Sequence, residues 1–286
     1  MAKSTVYFTK EISSDSLLRI YRTLGVQLKE KVAVKLSTGE PGGHNFLQPG
    51  MIKELVKEVN GTIAECNTAY GGPRSKTKSH WEVMKKHGFL EIAPCDIMDG
   101  EKEIALEIIG GKHLKQNFVG ANLQNYGSVL ILSHFKGHVM GGFGGALKNM
   151  SIGIASAHGK SQIHNAGGFL GISKQNAFLE AMAEACKSVV DYMGSENIVY
   201  INVANRLSVD CDCDSNPAEP KMADIGIFAS ADPVAVDQAC VDAVYRSPDE
   251  GKKDLIKRIE SRNGIHTIEV AETLGLGSRE YKIVEI

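Results

Sequence analysis

The sequence predicts an α/β fold: a mostly parallel sheet flanked by helices, arranged as two lobes about a cleft. Three observations lead there. Short apolar runs alternate with amphipathic segments along most of the chain, the pattern of βαβ units. The chain has 286 residues, and at about 150 residues per domain that is one large domain or two lobes. Glycine is abundant (30) while aromatic residues are few (Phe 9, Tyr 8, Trp 1), a composition of tight turns that ligand-binding α/β proteins use.

The elements follow in order. Val6-Tyr7-Phe8 reads as a short strand, and Asp15 to Leu24 as a helix with Leu17, Leu18, Tyr21 and Leu24 at helical spacing. Lys31 to Leu36 is a strand rich in β-branched residues. Pro49 opens the next helix, where its missing N–H costs nothing, and Asn60-Gly61 ends it. Thr62 to Cys66 returns as a strand and Lys76 to His87 as a helix. Ile104 to Ile109 and Lys112 to Val119, split by Gly110-Gly111, predict a hairpin in a smaller lobe. Ser128 to Phe135 is the clearest buried strand. A glycine-dense stretch runs from Gly137 to Gly171, and Lys174 to Met193 is a long helix. Ile198 to Val203 and Ile225 to Ala229 are buried strands, and Asp232-Pro233 opens a helix through Val244. Charged helices and a strand near Tyr281 to Val284 close the chain. No repeat or low-complexity linker divides it. One domain over 1–286 is expected, with lobes of about 1–127 and 128–286.

Composition excludes several classes. Hydrophobic residues make up 43%, too many for a disordered chain. Lysine plus arginine (32) nearly cancels aspartate plus glutamate (34), so no basic face for nucleic acid is expected. No run reaches the roughly 18 apolar residues of a membrane span, and MAKSTVYFTK has no signal-peptide core. A cytoplasmic protein is expected. Its six cysteines are too sparse for a disulfide framework, so paired thiols read as metal ligands or redox groups.

The densest chemistry runs from Ser133 to His164. His134 and His138 follow the buried strand, and ligands of open α/β sheets collect at carboxyl ends of strands. Their spacing suits either a metal-binding pair or a turn in which both rings bond backbone. Gly141-Gly142-Phe143-Gly144-Gly145 then leads into Ala146-Leu147-Lys148-Asn149. Glycines point backbone amides at a ligand, and a helix starting near Gly145 would favour an anion. The run matches neither the P-loop nor GxGxxG. Expected anion-binding residues are Gly142, Gly144, Gly145, Asn149 and Lys160, with Lys35 and His44 from strand-end segments lining the same cleft. Lys148, His134 and His138 are the expected catalytic groups.

A second cluster is Asp210-Cys211-Asp212-Cys213-Asp214. Thiols one residue apart are unusual ligands for one tetrahedral ion. In an extended segment, though, alternate side chains share a face, so both can point inward. The flanking aspartates disfavour a thiolate unless a cation or metal lies close. Cys211, Cys213, His134 and His138 are the expected metal ligands, and zinc, iron or nickel suits them. The two halves are expected to share one cleft. In a third cluster, Asp232 reads as a helix cap, whereas Asp237 inside an apolar helix is harder to assign to solvent.

Together these landmarks resemble one family, domain of unknown function 362, whose members are often labelled iron–sulfur-centre proteins. The matching pieces are VAVKLSTGE, LQPG, CNTAYGGPR, SHFKGHVMGGFGGALKNMSIGIASAHGK, QIH before NAGG, VDCDCD and ADIGIFASADPVAVDQA. They span Val6 to about Val244. Many members carry a ferredoxin-like insert with CxxCxxC runs; here Gly167 to Lys187 holds only Cys186, so no [4Fe–4S] ferredoxin cluster is expected in this chain. More distantly, the family is similar to the two-lobed architecture of nickel-dependent lactate racemase.

Three function classes follow. The first is a metal-dependent enzyme acting on a small anionic molecule in an inter-lobe cleft. The second is a non-catalytic metal- or anion-binding protein. The third is a redox protein using a cluster on a partner. A homodimer is the default assembly.

Overall fold

The computed structural model describes residues 3–29, 31–168 and 173–286. The chain runs β1 (Ser4–Thr9), α1 (Ser14–Thr23), β2 (Val32–Lys35), α2 (Pro49–Glu58), β3 (Gly61–Glu65), α3 (Thr77–Lys86), β4 (Cys95–Ile97), β5 (Glu103–Glu107), β6 (Gln116–Gly120) and β7 (Ser128–His134). It continues through β8 (Lys136–His138), β9 (Gly142–Gly144), α4 (Ala146–Ser151), α5 (Ala157–His164), α6 (Gln175–Met193), β10 (Ile198–Ala204), β11 (Gly226–Ser230), α7 (Pro233–Arg246), α8 (Lys252–Ser261), α9 (Ile265–Thr273) and β12 (Tyr281–Glu285).

Eight strands form one sheet in the order β12-β1-β11-β10-β7-β2-β3-β4. The mostly parallel sheet is as expected: β10, β7, β2, β3 and β4 run parallel, and β1 pairs parallel with β12. β11 alone runs against both neighbours, β10 and β1. An antiparallel neighbour needs no crossover helix. The segment between β10 and β11 is therefore free to fold as a long loop at the sheet edge, and it carries the cysteine pair.

The sheet is buried on both faces because its central strands are apolar throughout. In β7, Val129 and Ile131 face the core shared with α4, α6, α7, α8 and α9; Leu130 and Leu132 face the core shared with α1, α2 and α3. Asp232 caps α7 as expected, accepting from the Val234 and Ala235 amides. The predicted hairpin forms as β5 and β6, a separate antiparallel pair. The glycine-dense stretch is more regular than expected. It contains the β8–β9 ribbon and the helices α4 and α5. Its end, 169–172, lies outside the described residues.

Candidate active site

Parallel strands deliver their carboxyl ends to one edge. Lys35 closes β2, Glu65 closes β3 and His134 closes β7. A cavity of about 610 Å³ opens over that edge. The β7–α4 segment walls one side and the β10–β11 loop another. Gly137 lets the two approach: a Cβ there would sit 2.3 Å from the Val209 carbonyl oxygen. The Gly137 amide donates to the Ser208 carbonyl at 2.8 Å, stitching loop to ribbon.

The run Asp210 to Asp214 is a turn rather than the extended segment expected, closed by the Asp214 amide on the Cys211 carbonyl at 2.9 Å. Cys211 and Cys213 line the cavity, while Asp212 turns into the protein. Asp212 Oδ1 faces His134 Nδ1 at 2.8 Å and its Oδ2 accepts from Lys136 Nζ at 2.8 Å. Burial pushes this carboxyl upward, but the His134 and Lys136 charges prevail and hold it well below the usual carboxylate range. Its charge is therefore neutralised within the wall. At Cys211 the expected penalty of an acidic neighbour is outweighed by Cys213 and then by two lysines.

The donor atoms of His138, Cys211 and Cys213 lie within 4.8 Å of one another, so this group could hold a metal ion. The two thiols are adjacent. Cys213, aided by Lys148 and Lys136 and opposed by burial, holds the Cys211 thiol well below its ordinary value. Cys211 and burial push Cys213 well above. His138 Nε2 stands 3.9 Å from Cys213 Sγ. His138 Nδ1 accepts from the Gly141 amide at 2.8 Å and the Met140 amide at 3.2 Å. An imidazole whose Nδ1 accepts carries its proton on Nε2. Burial first, then Lys148, drive its pKa well down, so the ring is neutral.

The opposite wall is a buried charge network. Glu65 accepts from Lys35 Nζ at 3.1 Å, Arg74 Nη1 at 3.1 Å and the Thr38 amide at 2.8 Å. Burial opposes its charge, yet Lys35 and Arg74 bring it down to about 2. Glu40 accepts from Arg74 Nε and the Tyr70 hydroxyl, each at 2.8 Å.

A family model, domain of unknown function 362, matches residues 32–242. The chain belongs to this family. No curated protein matches it. Two solved structures are similar in part. A lactate racemase apoprotein from Thermoanaerobacterium thermosaccharolyticum is 15% identical, over 83% of this chain and 56% of its own, with a TM-score of 0.49. A protein from Thermotoga maritima is 12% identical, over 81% of this chain and 58% of its own, with a TM-score of 0.47. This chain spans less than two thirds of either.

In this member of the domain of unknown function 362 family, His134, His138, Lys148, Cys211 and Cys213 all line the one cavity. They do not form a four-donor group. His134 is the exception, because both its ring nitrogens are engaged: Nδ1 with Asp212, Nε2 with the Asn205 carbonyl at 2.7 Å. The expected anion site at a helix start is also corrected. Helix α4 does begin after Gly145, but Asp237 fills its end, accepting from the Ala146 amide at 2.7 Å and the Leu147 amide at 2.9 Å. Gly144, Gly145, Lys35, Asn149 and Lys160 line the cavity; His44 and Gly142 do not. His44 is exposed against Glu219, and Gly142 packs on Gly264. Asn149 braces the strand ends, donating to the Lys35 and Leu132 carbonyls and accepting from Lys35 Nζ.

His164, outside the expected set, also lines the cavity. Its Nδ1 meets the Lys160 carbonyl at 2.6 Å, one helical turn back. A carbonyl accepts only, so Nδ1 carries the proton and Nε2 keeps its lone pair. Burial lowers its pKa, which keeps the ring neutral. The sequence signal was the four-residue spacing from Lys160 on a helix.

Proposed function

We propose that this chain is an enzyme that binds a small anionic molecule in the cavity and acts on it beside a transition metal held by Cys211 and Cys213. The observation that carries the reading is the pair of thiols, Cys211 and Cys213, within 4.8 Å of each other on a cavity wall shared with Lys148. The two sulfurs fit such an ion: they are adjacent, and one is already biased toward thiolate, the form that ligates. Zinc, iron or nickel suits thiolate donors. His138 does not fit as a ligand in its present tautomer, because a ligating histidine donates from its second nitrogen, whereas Nδ1 here accepts. It serves instead as a donor toward Cys213. A bound metal would supply Lewis acidity toward a substrate oxygen. Lys148 is part-exposed, without a hydrogen-bond or ion-pair partner among the described residues, and would take the anionic group. His164 Nε2 is positioned as a proton acceptor.

Cobalt(II) titration under anaerobic conditions tests the metal. The expected result is a saturable thiolate-to-cobalt charge-transfer band at one ion per chain, lost in Cys211→Ser and in Cys213→Ser. A wild-type protein without that band would overturn the metal reading. The tautomer of His138 favours a second reading, in which the thiol pair reacts without metal. Alkylation of Cys211 that is equally fast before and after treatment with a chelator supports it.

A further inference from the structure

Five cationic side chains line the cavity, and their surroundings differ. Lys35 is paired with Glu65 at 3.1 Å, Arg74 with Glu40 at 2.8 Å, and Lys136 with Asp212 at 2.8 Å. Lys148 is part-exposed and open to an incoming anion. Lys160 is the odd member. It is only 7% exposed, yet no carboxylate lies within ion-pair distance among the described residues. Its Nζ donates to the Ala155 carbonyl, 2.5 Å away, and to nothing else described. Asp99 acts on it through space, but its oxygens are committed to the Asn67 amide at 2.8 Å and the Ala157 amide at 3.0 Å.

An ammonium largely withdrawn from water beside one carbonyl loses more hydration than it recovers. Burial therefore lowers the Lys160 pKa, and the nearby Lys35 charge adds to the effect. The uncharged amine is the form that attacks carbonyl carbon. The neighbouring nucleophile does not compete, because burial pushes the Cys66 thiol up to about 12. His164 is tied by its Nδ1 to the carbonyl of Lys160 itself, so lysine and proton acceptor are held on adjacent turns of α5.

We propose that Lys160 forms a Schiff base with a small anionic carbonyl compound, a 2-oxo acid or an aldehyde acid, whose carboxylate rests on Lys148. The assignment of the carboxylate rests on the anion reading of the cavity given above. In the step, Nζ adds to the carbonyl carbon and one amine proton passes to the carbonyl oxygen, relayed by His164, to give a carbinolamine. The second amine proton passes by the same relay to the hydroxyl, which leaves as water as the nitrogen lone pair forms C=N. Both amine protons thus leave with the oxygen, and His164 ends as it began. No electrons are exchanged and water is the only co-product.

The experiment is reductive trapping on the full chain. Glyoxylate, an anionic probe, and acetaldehyde, a neutral one, are each added with cyanoborohydride, and the modified lysine is mapped by peptide mass spectrometry. Both probes are expected to label Lys160 ahead of the surface lysines, glyoxylate at lower concentration. Lys148→Met should weaken glyoxylate labelling about tenfold, the loss of one charge-assisted contact, and leave acetaldehyde labelling unchanged. Lys160→Arg should abolish the cavity adduct; because mapping on the wild type stands alone, a misfolded variant does not blunt the test. Labelling confined to surface lysines with both probes overturns the proposal and leaves the anion reading standing. Equal labelling of Lys160 by both probes, unchanged in Lys148→Met, supports the amine and overturns the anion reading.

Discussion

Glu65 is a carboxylate that only its partners keep charged. It is buried between Lys35, Arg74 and the Thr38 amide. Its folded pKa is depressed from 4.5 to about 2. A depressed carboxylate contributes stability that is present above the unfolded value and is lost as pH falls through the folded one. The shift corresponds to about 3 kcal/mol, lost between about pH 5 and pH 2. Urea unfolding across that window should show the loss in wild type. Glu65→Gln should flatten that part of the slope while lowering stability at neutral pH, because Lys35 and Arg74 lose a buried partner. A wild-type profile as flat as the variant's would refute it. At this scale the sequence was half legible. Lys35 and Lys148 were recognisable as cations at a strand end and after the glycine run, whereas the Glu65–Arg74 partnership depends on the segment after β3 folding back onto the strand's end. His134 was misread for the same reason: nothing local shows that Asp212, distant in sequence, already claims its ring.

The loop between β10 and β11 and the β8–β9 ribbon form the cavity only because they touch. Gly137 is the contact, with the Val209 backbone 2.3 Å from where a Cβ would stand. Backbone cannot move aside as a flexible side-chain end can. Gly137→Ala should therefore push the cysteine loop away from His138, costing about 1–3 kcal/mol of overpacking and greatly weakening cobalt binding. A variant with full cobalt affinity would show that the loop tolerates displacement. Long periodic elements such as α2, α6 and β7 were readable from spacing alone. The ribbon was not, because strands of three residues rich in glycine carry no period, and α4 and α5 are short helices within a glycine run. Asp237 illustrates a different limit. Its place in α7 was visible, but its service to the start of α4 is a tertiary contact. Burial raises its carboxyl to about 6 against the donors that favour its charge.

Across the whole molecule, one sheet separates two apolar layers, and central strands such as β7 contribute side chains to both. Strands from either side of residue 127 are joined in that sheet: β2 pairs with β7, and β1 lies between β12 and β11. Neither layer retains its packing without the other. Far-ultraviolet and near-ultraviolet circular dichroism should therefore report coincident unfolding transitions. Two resolved transitions would mean that the halves hold separate stability. The parallel order was legible because alternating strands and amphipathic helices leave few other arrangements. The reversed β11 was not, since an apolar strand reads the same in either direction. No helix among the described residues is long and apolar enough to cross a membrane.

The inward turn of Asp212 also decides which ions the opening can prefer. Its anchorage to His134 and Lys136 acts as a register pin for the run Asp210 to Asp214. Asp210 and Asp214 already stand on the cavity rim beside the two sulfurs, and Asp212 is the one carboxylate of the run held away from it. Releasing it from His134 and Lys136 would add another hard oxygen donor to the mouth and move the preference of the proposed site from soft ions toward magnesium or calcium. Two buried contacts of one side chain thus set the balance of sulfur and oxygen that an incoming ion would meet.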